Sequence, residues 1–220
     1  MADHDHDHEH HDHDHDHDHE HDDHEHHDHD GHDHDDHGHD HEDEQALEQE
    51  ARRLLALSRI RQYGDTALRM KAREVEAFDD DLERLVERMT TLMHEANGVG
   101  LAATQVGVLR RLFVFVDGDE DRVIVNPVLT QTSEETEVDD EGCLSLRGVL
   151  VPVERSTRVV IEGVDAKGEP VSLELEAPSS RVVQHELDHL DGVLIIDRTD
   201  DESRRAALAA LRPQPVLGAR

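Results

Sequence analysis

Two histidines and a glutamate in the segment 181–190 have side chains and a spacing that suit metal binding. His185 and His189 are four residues apart, and Glu186 follows the first of them. Residues i and i+4 lie on one face of an α-helix, so both imidazoles can reach a single ion. Glu186 is then placed to take a proton from a water molecule that the ion activates. The pattern also arises by chance, and a catalytic centre of this kind needs a third protein ligand.

Cys143 is the candidate for that third ligand. It is the single cysteine of the chain, it follows Gly142, and it lies upstream of both histidines. A lone cysteine is more often a small buried apolar side chain, so the residues alone leave both interpretations open. A single cysteine excludes an internal disulfide and is typical of a reducing compartment, which favours the cytoplasm.

The segment 98–105, Gly-Val-Gly-Leu-Ala-Ala-Thr-Gln, is the second candidate for binding. Two glycines two residues apart, followed by small side chains, describe a backbone that a ligand can approach closely. The third glycine and the preceding strand of a dinucleotide-binding turn are missing, which excludes that interpretation. His94 is interpreted as a half-exposed helix residue, with a secondary metal ligand as the alternative. Asp188 is interpreted as a source of structural hydrogen bonds.

The elements that must position these residues follow from the hydrophobic periodicity. Helices are predicted from Asp79 or Asp80 to Asn97-Gly98, from a cap at Ser179 or Ser180 through the two histidines, and over 200–211. Strands are predicted over 111–116, 122–129, 149–154, 157–164, 171–176 and 192–197, with turns at 117–121 and 165–170. Asn126-Pro127 is expected to end the regular pairing of the second strand. The acidic segment before Glu141 is interpreted as a loop.

Charge divides the chain into unlike regions. The 220 residues carry a formal net charge of −33, and residues 1–44 contain 19 of the 22 His and 21 of the 55 Asp and Glu, with no Lys or Arg. Such a segment has almost nothing to bury, so we expect a disordered tail that binds additional divalent ions loosely. The predicted domains are a tail over 1–44, a helical linker over 45–58, a catalytic domain over 59–212 and a second tail over 213–220. The acidity argues against nucleic-acid binding, and no apolar run is long enough to predict a membrane span.

Three segments in this order, 98–105, 141–145 and 184–189, resemble the three motifs of the peptide deformylases. These are metal hydrolases that remove the N-formyl group from new bacterial proteins. The resemblance covers about residues 60–198, and the segment 61–69 is similar to the opening segment of the family. It implies an α+β fold in which antiparallel sheets surround a central metal-binding helix.

The resemblance also implies a role for each matching residue. Cys143, His185 and His189 match the metal ligands, with water in the fourth position, and Glu186 matches the general acid and base. Gln105 and the backbone N–H of Leu144 match the groups that bind the developing oxyanion. The implied ion is Fe²⁺, with Zn²⁺, Ni²⁺ or Co²⁺ as alternatives.

The implied substrates are nascent formyl-Met polypeptides near the ribosome. An extended peptide of this kind can pair with a strand edge through main-chain hydrogen bonds, and we expect it along Gly98, Val99, Gly100 and Leu101. The loop after Ser145 is shorter than in many members of the family. For that reason Arg147 is not assigned their substrate-holding role.

Two interpretations from other classes remain as alternatives. A general metalloprotease would need a third His or Glu downstream of the helix, and no His follows His189. A metal-storage or metal-delivery protein would act through residues 1–44, with a catalytic domain that has lost activity. The presence of Cys143, Glu186 and Gln105 argues against such a loss.

Overall fold

A computed structural model describes residues 38–212, with side chains described from residue 44 onward. This part of the chain contains four α-helices: α1 (Gly38–Ser58), α2 (Asp80–Glu95), α3 (Ser179–Leu190) and α4 (Asp201–Ala210). Seven strands are β1 (Gly100–Ala102), β2 (Leu112–Asp117), β3 (Glu120–Thr132), β4 (Thr136–Gly142), β5 (Leu150–Ser156), β6 (Arg158–Val164) and β7 (Pro170–Glu176). Short 3₁₀ helices are Thr66–Arg69, Ala103–Val106 and Ile195–Asp197. The predicted tails over 1–44 and 213–220 lie largely or wholly outside the described residues.

All strand pairs are antiparallel, and they form two sheets. The larger sheet has the order β1-β2-β3-β6-β7, and β4 pairs with β5 in a separate two-stranded sheet. Helix α3 contacts β1, β2 and β7 of the larger sheet and β5 of the smaller one. The predicted α+β class with antiparallel sheets is therefore confirmed. No described helix is long and apolar enough to span a bilayer.

The core lies on both faces of strand β2. Leu112 and Val114 pack in a cluster with the apolar face of α2, whereas Phe113 and Phe115 pack in a second cluster with Val183 and Leu190 of α3. Alternate side chains of a strand point to opposite faces, so a strand covered on both sides needs a continuous apolar run. The run Leu-Phe-Val-Phe-Val meets that need, and it fixes α3 against the sheet.

Helix α2 is bounded as its sequence predicts. The Asp79 side chain accepts a hydrogen bond from the Leu82 N–H, at 3.1 Å. At the other end Asn97 has a φ of 56°, and the N–H groups of Asn97 and Gly98 bond to the carbonyls of His94 and Met93. These two bonds form a Schellman motif. The motif ends the helix immediately before β1.

Helix α1 is longer than the predicted linker and contributes to the core. It begins at Gly38 rather than at residue 45. Its last turn buries Ala56 and Leu57, which pack with Ile60 against residues of α2. The ordered fold therefore includes the end of the predicted linker. In an unpacked linker these apolar side chains would remain exposed to water. Their burial instead stabilises the fold by roughly 0.8 kcal/mol for each CH₂ group.

Two strand predictions were wrong. The acidic segment before Glu141 is strand β4, paired residue by residue with β5 from Thr136↔Ser156 to Gly142↔Leu150. Its side chains before Glu141 are exposed, so no alternation of apolar and polar residues marks it as a strand. Residues 192–197 form a turn and a 3₁₀ helix instead of a strand, because the Asp197 carboxylate accepts a bond from the Leu194 N–H at 2.9 Å.

Two local predictions have different outcomes. The regular pairing of β3 is interrupted at Asn126-Pro127 as expected, by a register shift between Val125 and Val128, although the strand then continues to Thr132. Neither serine caps α3, whose N-cap residue is Pro178. The buried Ser180 hydroxyl instead donates to the carbonyls of Ser156 and Thr157, at 3.3 and 2.9 Å.

Candidate metal centre

Helix α3 places both histidines of the motif on the side that faces β4 and β5. Val183 and Leu190 anchor the helix in the core cluster beneath the larger sheet. The rings of His185 and His189 make an edge-to-face contact with centroids 4.9 Å apart. His189 is buried, and its carbonyl accepts a hydrogen bond from the Thr104 hydroxyl at 3.1 Å. The predicted i, i+4 pair is thus presented on one face.

Cys143 approaches this pair from the turn that follows β4. One potential ligand atom from each of Cys143, His185 and His189 lies within 4.8 Å of the others, and the Cys143 Sγ is 3.2 Å from the His189 Nε2. This is the one group of at least three such residues that the described part of the chain brings together. A thiolate and two imidazoles suit a single borderline-soft ion such as Fe²⁺, Co²⁺, Ni²⁺ or Zn²⁺. The donor set therefore fits the implied metal.

Glu141 orients the first histidine. Its Oε2 lies 3.0 Å from the His185 Nδ1, which leaves the Nε2 to face the other two ligands. Burial raises the pKa of Glu141, but hydrogen bonds from His185 and Arg155 outweigh this and lower it to about 2. The carboxylate is therefore ionised throughout the neutral range, and it holds the Nδ1 proton on the side away from the centre.

Arg155 joins Glu141 to helix α3. Its Nε and Nη2 donate to both Glu141 oxygens at 2.9 and 3.0 Å, and its Nη1 donates to Asp188 at 2.6 Å. Asp188 also accepts from Arg198 at 3.0 Å. This geometry agrees with the structural role expected for Asp188. The sequence analysis assigned no role to Arg155. Its position continues the alternation of the inward-facing Val151 and Val153, which could have predicted a buried arginine.

The two histidines differ in their electrostatic surroundings. Burial, followed by the charge of His185, holds the pKa of His189 well below its usual range. Burial also lowers the pKa of His185, but hydrogen bonds to Cys143 and Glu141 outweigh it and raise that pKa well above the usual range. The proton on His185 must then leave when an ion binds.

Glu186 is buried beside these ligands and lies against the backbone of β1. Burial raises its pKa to about 7, although the charge of His185 acts in the opposite direction. Within the described part of the chain its Oε2 has no hydrogen-bond partner. A carboxyl group with a pKa near neutrality and a free oxygen can both accept and return a proton.

Gln105 is held in one orientation by its own backbone segment. The Ala102 N–H donates to the Gln105 Oε1 at 2.8 Å, which directs the amide nitrogen toward the centre. The Nε2 lies 3.7 Å from the Cys143 Sγ and donates to the Ser145 hydroxyl at 3.2 Å. The N–H of Leu144, next to the cysteine, has no acceptor among the described residues. Both groups predicted to bind an oxyanion are therefore donors beside the candidate ligands.

A cavity of about 650 Å³ opens over the centre. Cys143, His185 and Glu186 line it together with Gly98, Val99 and Gly100 of the glycine segment. Leu101 differs from the other residues expected along the substrate, because its side chain is fully buried in the core. The whole residue is 0% exposed and does not line the cavity, so Gly98, Val99 and Gly100 are the members of this set that face it. Strand β1 is the outermost strand of its sheet, so one of its edges is unpaired within the described fold.

His94 and Arg147 take no part in the candidate ligand set. His94 is exposed, and its Nε2 lies 2.8 Å from an Asp121 oxygen, so the alternative of a secondary ligand is not supported. Arg147 lines the cavity, and its Nε donates to the Gln62 side chain at 3.2 Å.

The chain is similar to known proteins over most of the described fold. The family model for polypeptide deformylase matches residues 57–205. A peptide deformylase from Thermotoga sp. (strain RQ2) is 47% identical over 146 residues, which is 66% of this chain and 89% of that protein. One from Acidothermus cellulolyticus is 48% identical over 165 residues, 74% of this chain and 91% of that protein.

Solved structures of peptide deformylases are also similar to this chain. The crystal structure of peptide deformylase from Thermus thermophilus has a TM-score of 0.65 and 47% identity, covering 69% of this chain and 91% of that one. The peptide deformylase from Thermotoga maritima has a TM-score of 0.63 and 46% identity, covering 64% of this chain and 97% of that one. The chain belongs to the peptide deformylase family.

Proposed function

We propose that this protein removes the N-formyl group from the formylmethionine of newly made proteins by metal-dependent hydrolysis. The products are formate and a free methionine amine. The observation that supports this most strongly is the meeting of Cys143, His185 and His189 at one end of an open cavity, with Glu186 and Gln105 beside them. A general metalloprotease would take its third ligand from downstream of the helix, whereas here the third candidate is the upstream cysteine.

Cys143, His185 and His189 would hold one divalent ion, with Fe²⁺ proposed first and Zn²⁺, Ni²⁺ or Co²⁺ as alternatives. When bound, the ion supplies Lewis-acid chemistry that lowers the pKa of a water molecule and polarises the formyl carbonyl. The thiolate donates more charge to the ion than a third imidazole would, and it also makes an Fe²⁺ centre sensitive to oxidation.

Glu186 carries the proton in the proposed mechanism. Its carboxylate takes the proton from the attacking water, and it gives that proton to the leaving amine when the bond between the formyl carbon and nitrogen breaks. Burial raises the pKa of this carboxyl group to about 7 in the metal-free centre, and a raised pKa favours the return of the proton to the amine. The same carboxyl group therefore serves as base and then as acid, and it ends each turnover in its starting state.

Gln105 and Leu144 stabilise the negative charge that develops on the formyl oxygen. The Gln105 amide nitrogen is already directed toward the centre by the bond to the Ala102 N–H. The Leu144 N–H adds a second donor from the backbone. Preorganised donors of this kind contribute roughly 2.7–4 kcal/mol each to stabilising the transition state.

The substrate is proposed to lie as an extended strand beside β1. The backbone of Gly98, Val99 and Gly100 would then pair with the peptide through main-chain hydrogen bonds, while the buried Leu101 anchors this segment in the core. The main-chain hydrogen bonds themselves do not depend on the side chains of the peptide. This arrangement suits an enzyme that acts on many nascent chains near the ribosome, and the single cysteine supports a cytoplasmic location.

The test is release of formate from formyl-Met-Ala-Ser by the full chain loaded with Co²⁺. We expect Glu186→Ala to keep the ion and lose nearly all turnover, and Cys143→Ala to lose both. Because the tail contains no cysteine, the thiolate-to-cobalt absorption band reports the proposed centre alone. His94→Ala, an exposed histidine outside the centre, is the matched control and should keep both band and turnover. Normal turnover by Glu186→Ala, or an unchanged band in Cys143→Ala, would refute the assigned roles.

A second proposal concerns residues 1–44, which hold 19 histidines. We propose that this tail binds further divalent ions loosely and serves as a local metal store. Deletion of residues 1–44 should then lower total metal stoichiometry and slow the recovery of activity after metal depletion. Equal stoichiometry with and without the tail would remove the proposal, and equal recovery would remove the delivery role.

A further inference from the structure

Helix α1 supplies part of the wall of the active-site cavity. Arg53 and Leu57 both line the cavity that Cys143, His185 and Glu186 line. These two residues are four apart, so they lie on the same face of α1. Arg53 lies before residue 57, where the match to the family model begins. It therefore lies outside the part of the chain that the family model matches.

The position of Arg53 is fixed by the packing of the turn that follows it. Leu57 is 4% exposed, and it belongs with Ala56 and Ile60 to the core cluster against which Leu144 packs. Leu144 is the neighbour of the candidate ligand Cys143. The last turn of α1 is consequently tied to the loop that carries the metal ligand, and Arg53 is one turn away.

The guanidinium of Arg53 has unused hydrogen-bonding capacity. Its only acceptor among the described side chains is Glu50, at 3.4 Å, and its side chain is 41% exposed. The Nε is buried and has no partner within the described residues. A guanidinium has five N–H donors in a planar fork, and an arginine of this kind suits a carboxylate.

Arg53 also changes the balance of charge around the cavity. The lining contains three arginines, Arg53, Arg147 and Arg181, and three acidic residues, Asp140, Glu141 and Glu186. Arg181 pairs with Glu141 at 3.0 Å, and Glu186 belongs to the catalytic centre. Arg53 has its ion pair with Glu50, which does not line the cavity, and Arg147 bonds to the neutral side chain of Gln62. The charged residues of the lining are therefore balanced in number, and Arg53 and Arg147 are the two arginines that are not paired with another lining residue.

We infer that Arg53 is a specificity-determining residue that favours formylated peptides with an acidic side chain at one of the two positions after the methionine. The inference rests on the proposed function, because it assumes a formyl-Met peptide in this cavity. An extended peptide that places its formyl group at the metal centre must direct its following residues along the walls of the cavity. A Glu or Asp carboxylate there can accept from the fork of Arg53.

The experiment compares peptides that differ only in the charge of one side chain. The pairs are formyl-Met-Glu-Ala against formyl-Met-Gln-Ala, and formyl-Met-Ala-Glu against formyl-Met-Ala-Gln, all as C-terminal amides. We expect the full chain to prefer the Glu member of at least one pair in kcat/KM by about two- to fivefold, the range of one exposed ion pair. The preference should shrink at high salt, because exposed charges are screened.

Variants then assign the preference to one side chain. Arg53→Gln should bring the ratio of Glu to Gln peptide close to one, and Arg53→Lys should restore part of it. The matched control is Arg52→Gln, because Arg52 is 72% exposed on the same helix, pairs with Glu48 and does not line the cavity. An equal ratio in the full chain and in Arg53→Gln, or an equal loss in Arg52→Gln, overturns the inference. A lack of turnover on all four peptides would instead overturn the proposed function and the inference with it.

Discussion

Replacing Gly100 by alanine tests whether the close approach of β1 to Glu186 positions the catalytic carboxyl group. A Cβ at residue 100 would lie 2.9 Å from the Glu186 carboxyl carbon and would overlap its Oε1. Ordinary contact begins near 3.4 Å, so the carboxyl group must retreat by about 0.5 Å or more. Because a displacement of 1 Å can cost about 10²-fold in rate, we expect kcat to fall roughly 10- to 100-fold. This range corresponds to about 1.4–2.7 kcal/mol of lost transition-state stabilisation.

The assay is kcat for formyl-Met-Ala-Ser, measured together with the thiolate-to-cobalt band of the Co²⁺ form. The band should be unchanged, because Gly100 touches no proposed ligand. The same Cβ would also lie 2.9 Å from the Val182 Cγ1, so Gly100→Ala is compared with the double variant that adds Val182→Ala. Recovery of kcat in the double variant would mean that the clash acts through Val182 and not through Glu186.

A second glycine separates loss of catalysis from loss of stability. A Cβ at Gly163 would lie 2.6 Å from the Ile124 Cγ2 and 2.7 Å from the Val125 carbonyl, in the sheet and away from the centre. Gly163→Ala should lower the free energy of unfolding by about 1–3 kcal/mol through overpacking, with little effect on kcat of the folded fraction. Gly100→Ala with a kcat within twofold of the original chain would refute the positioning argument.

Three further outcomes are expected. Gln105→Ala should lower kcat by about 10²–10³-fold with the cobalt band retained, and an equal loss of the band would make Gln105 structural. In metal-free protein, Glu141→Gln should lower the free energy of unfolding by roughly 3–5 kcal/mol, because it leaves Arg155 incompletely paired in the interior. The pKa of Glu141 in the folded state is about 2, below its ordinary value of 4.5. The difference in unfolding free energy between the original chain and Glu141→Gln should therefore be complete above pH 4.5 and decrease as the pH falls toward 2. Urea titrations at several pH values measure this difference. Asp197→Asn breaks an ion pair with Arg69 that is more exposed than the pair of Glu141 with Arg155. Burial raises the pKa of Asp197, but the hydrogen bond from Arg69 outweighs burial and lowers that pKa. The cost of Asp197→Asn in the same titrations should therefore stay below about 1 kcal/mol and also vanish in acid.

The elements best predicted from the sequence are those whose hydrophobic pattern and capping residues match the way they pack in the fold. Helix α2 is one case, since a cap at Asp79, an apolar face and a stop at Asn97-Gly98 all describe the same 16 residues. The ligand helix α3 is another, because its two histidines must share a face for any metal function. The prediction of a serine cap for α3 was wrong because of a tertiary contact. The buried hydroxyl of Ser180 donates its hydrogen bonds to the carbonyls of Ser156 and Thr157.

Prediction from the sequence was poorest where the partner of a segment is distant along the chain. The run 192–197 is apolar enough for a strand, but Asp197 satisfies the Leu194 N–H and also pairs with Arg69, 128 residues away. Helix α1 is similar, because the burial of Leu57 depends on α2 and on Leu144. Short apolar runs do not distinguish a strand from a buried turn, and only the contacts decide.

Strand β4 shows how a segment with no apolar pattern can still determine the site. Its acidic side chains up to Asp140 face solvent, so no periodicity marks it, yet its backbone pairs with β5 along its whole length. This pairing sets Glu141 opposite Val151, and Arg155, which faces inward two positions beyond Val153, reaches back to both Glu141 oxygens. Glu141 in turn fixes the His185 ring, and the next two residues end the strand and present Cys143. A slip of one residue in this register would turn Glu141 to solvent and Asp140 to the interior. The metal centre therefore depends on the exact pairing of the strand whose own sequence gives the least sign of being one.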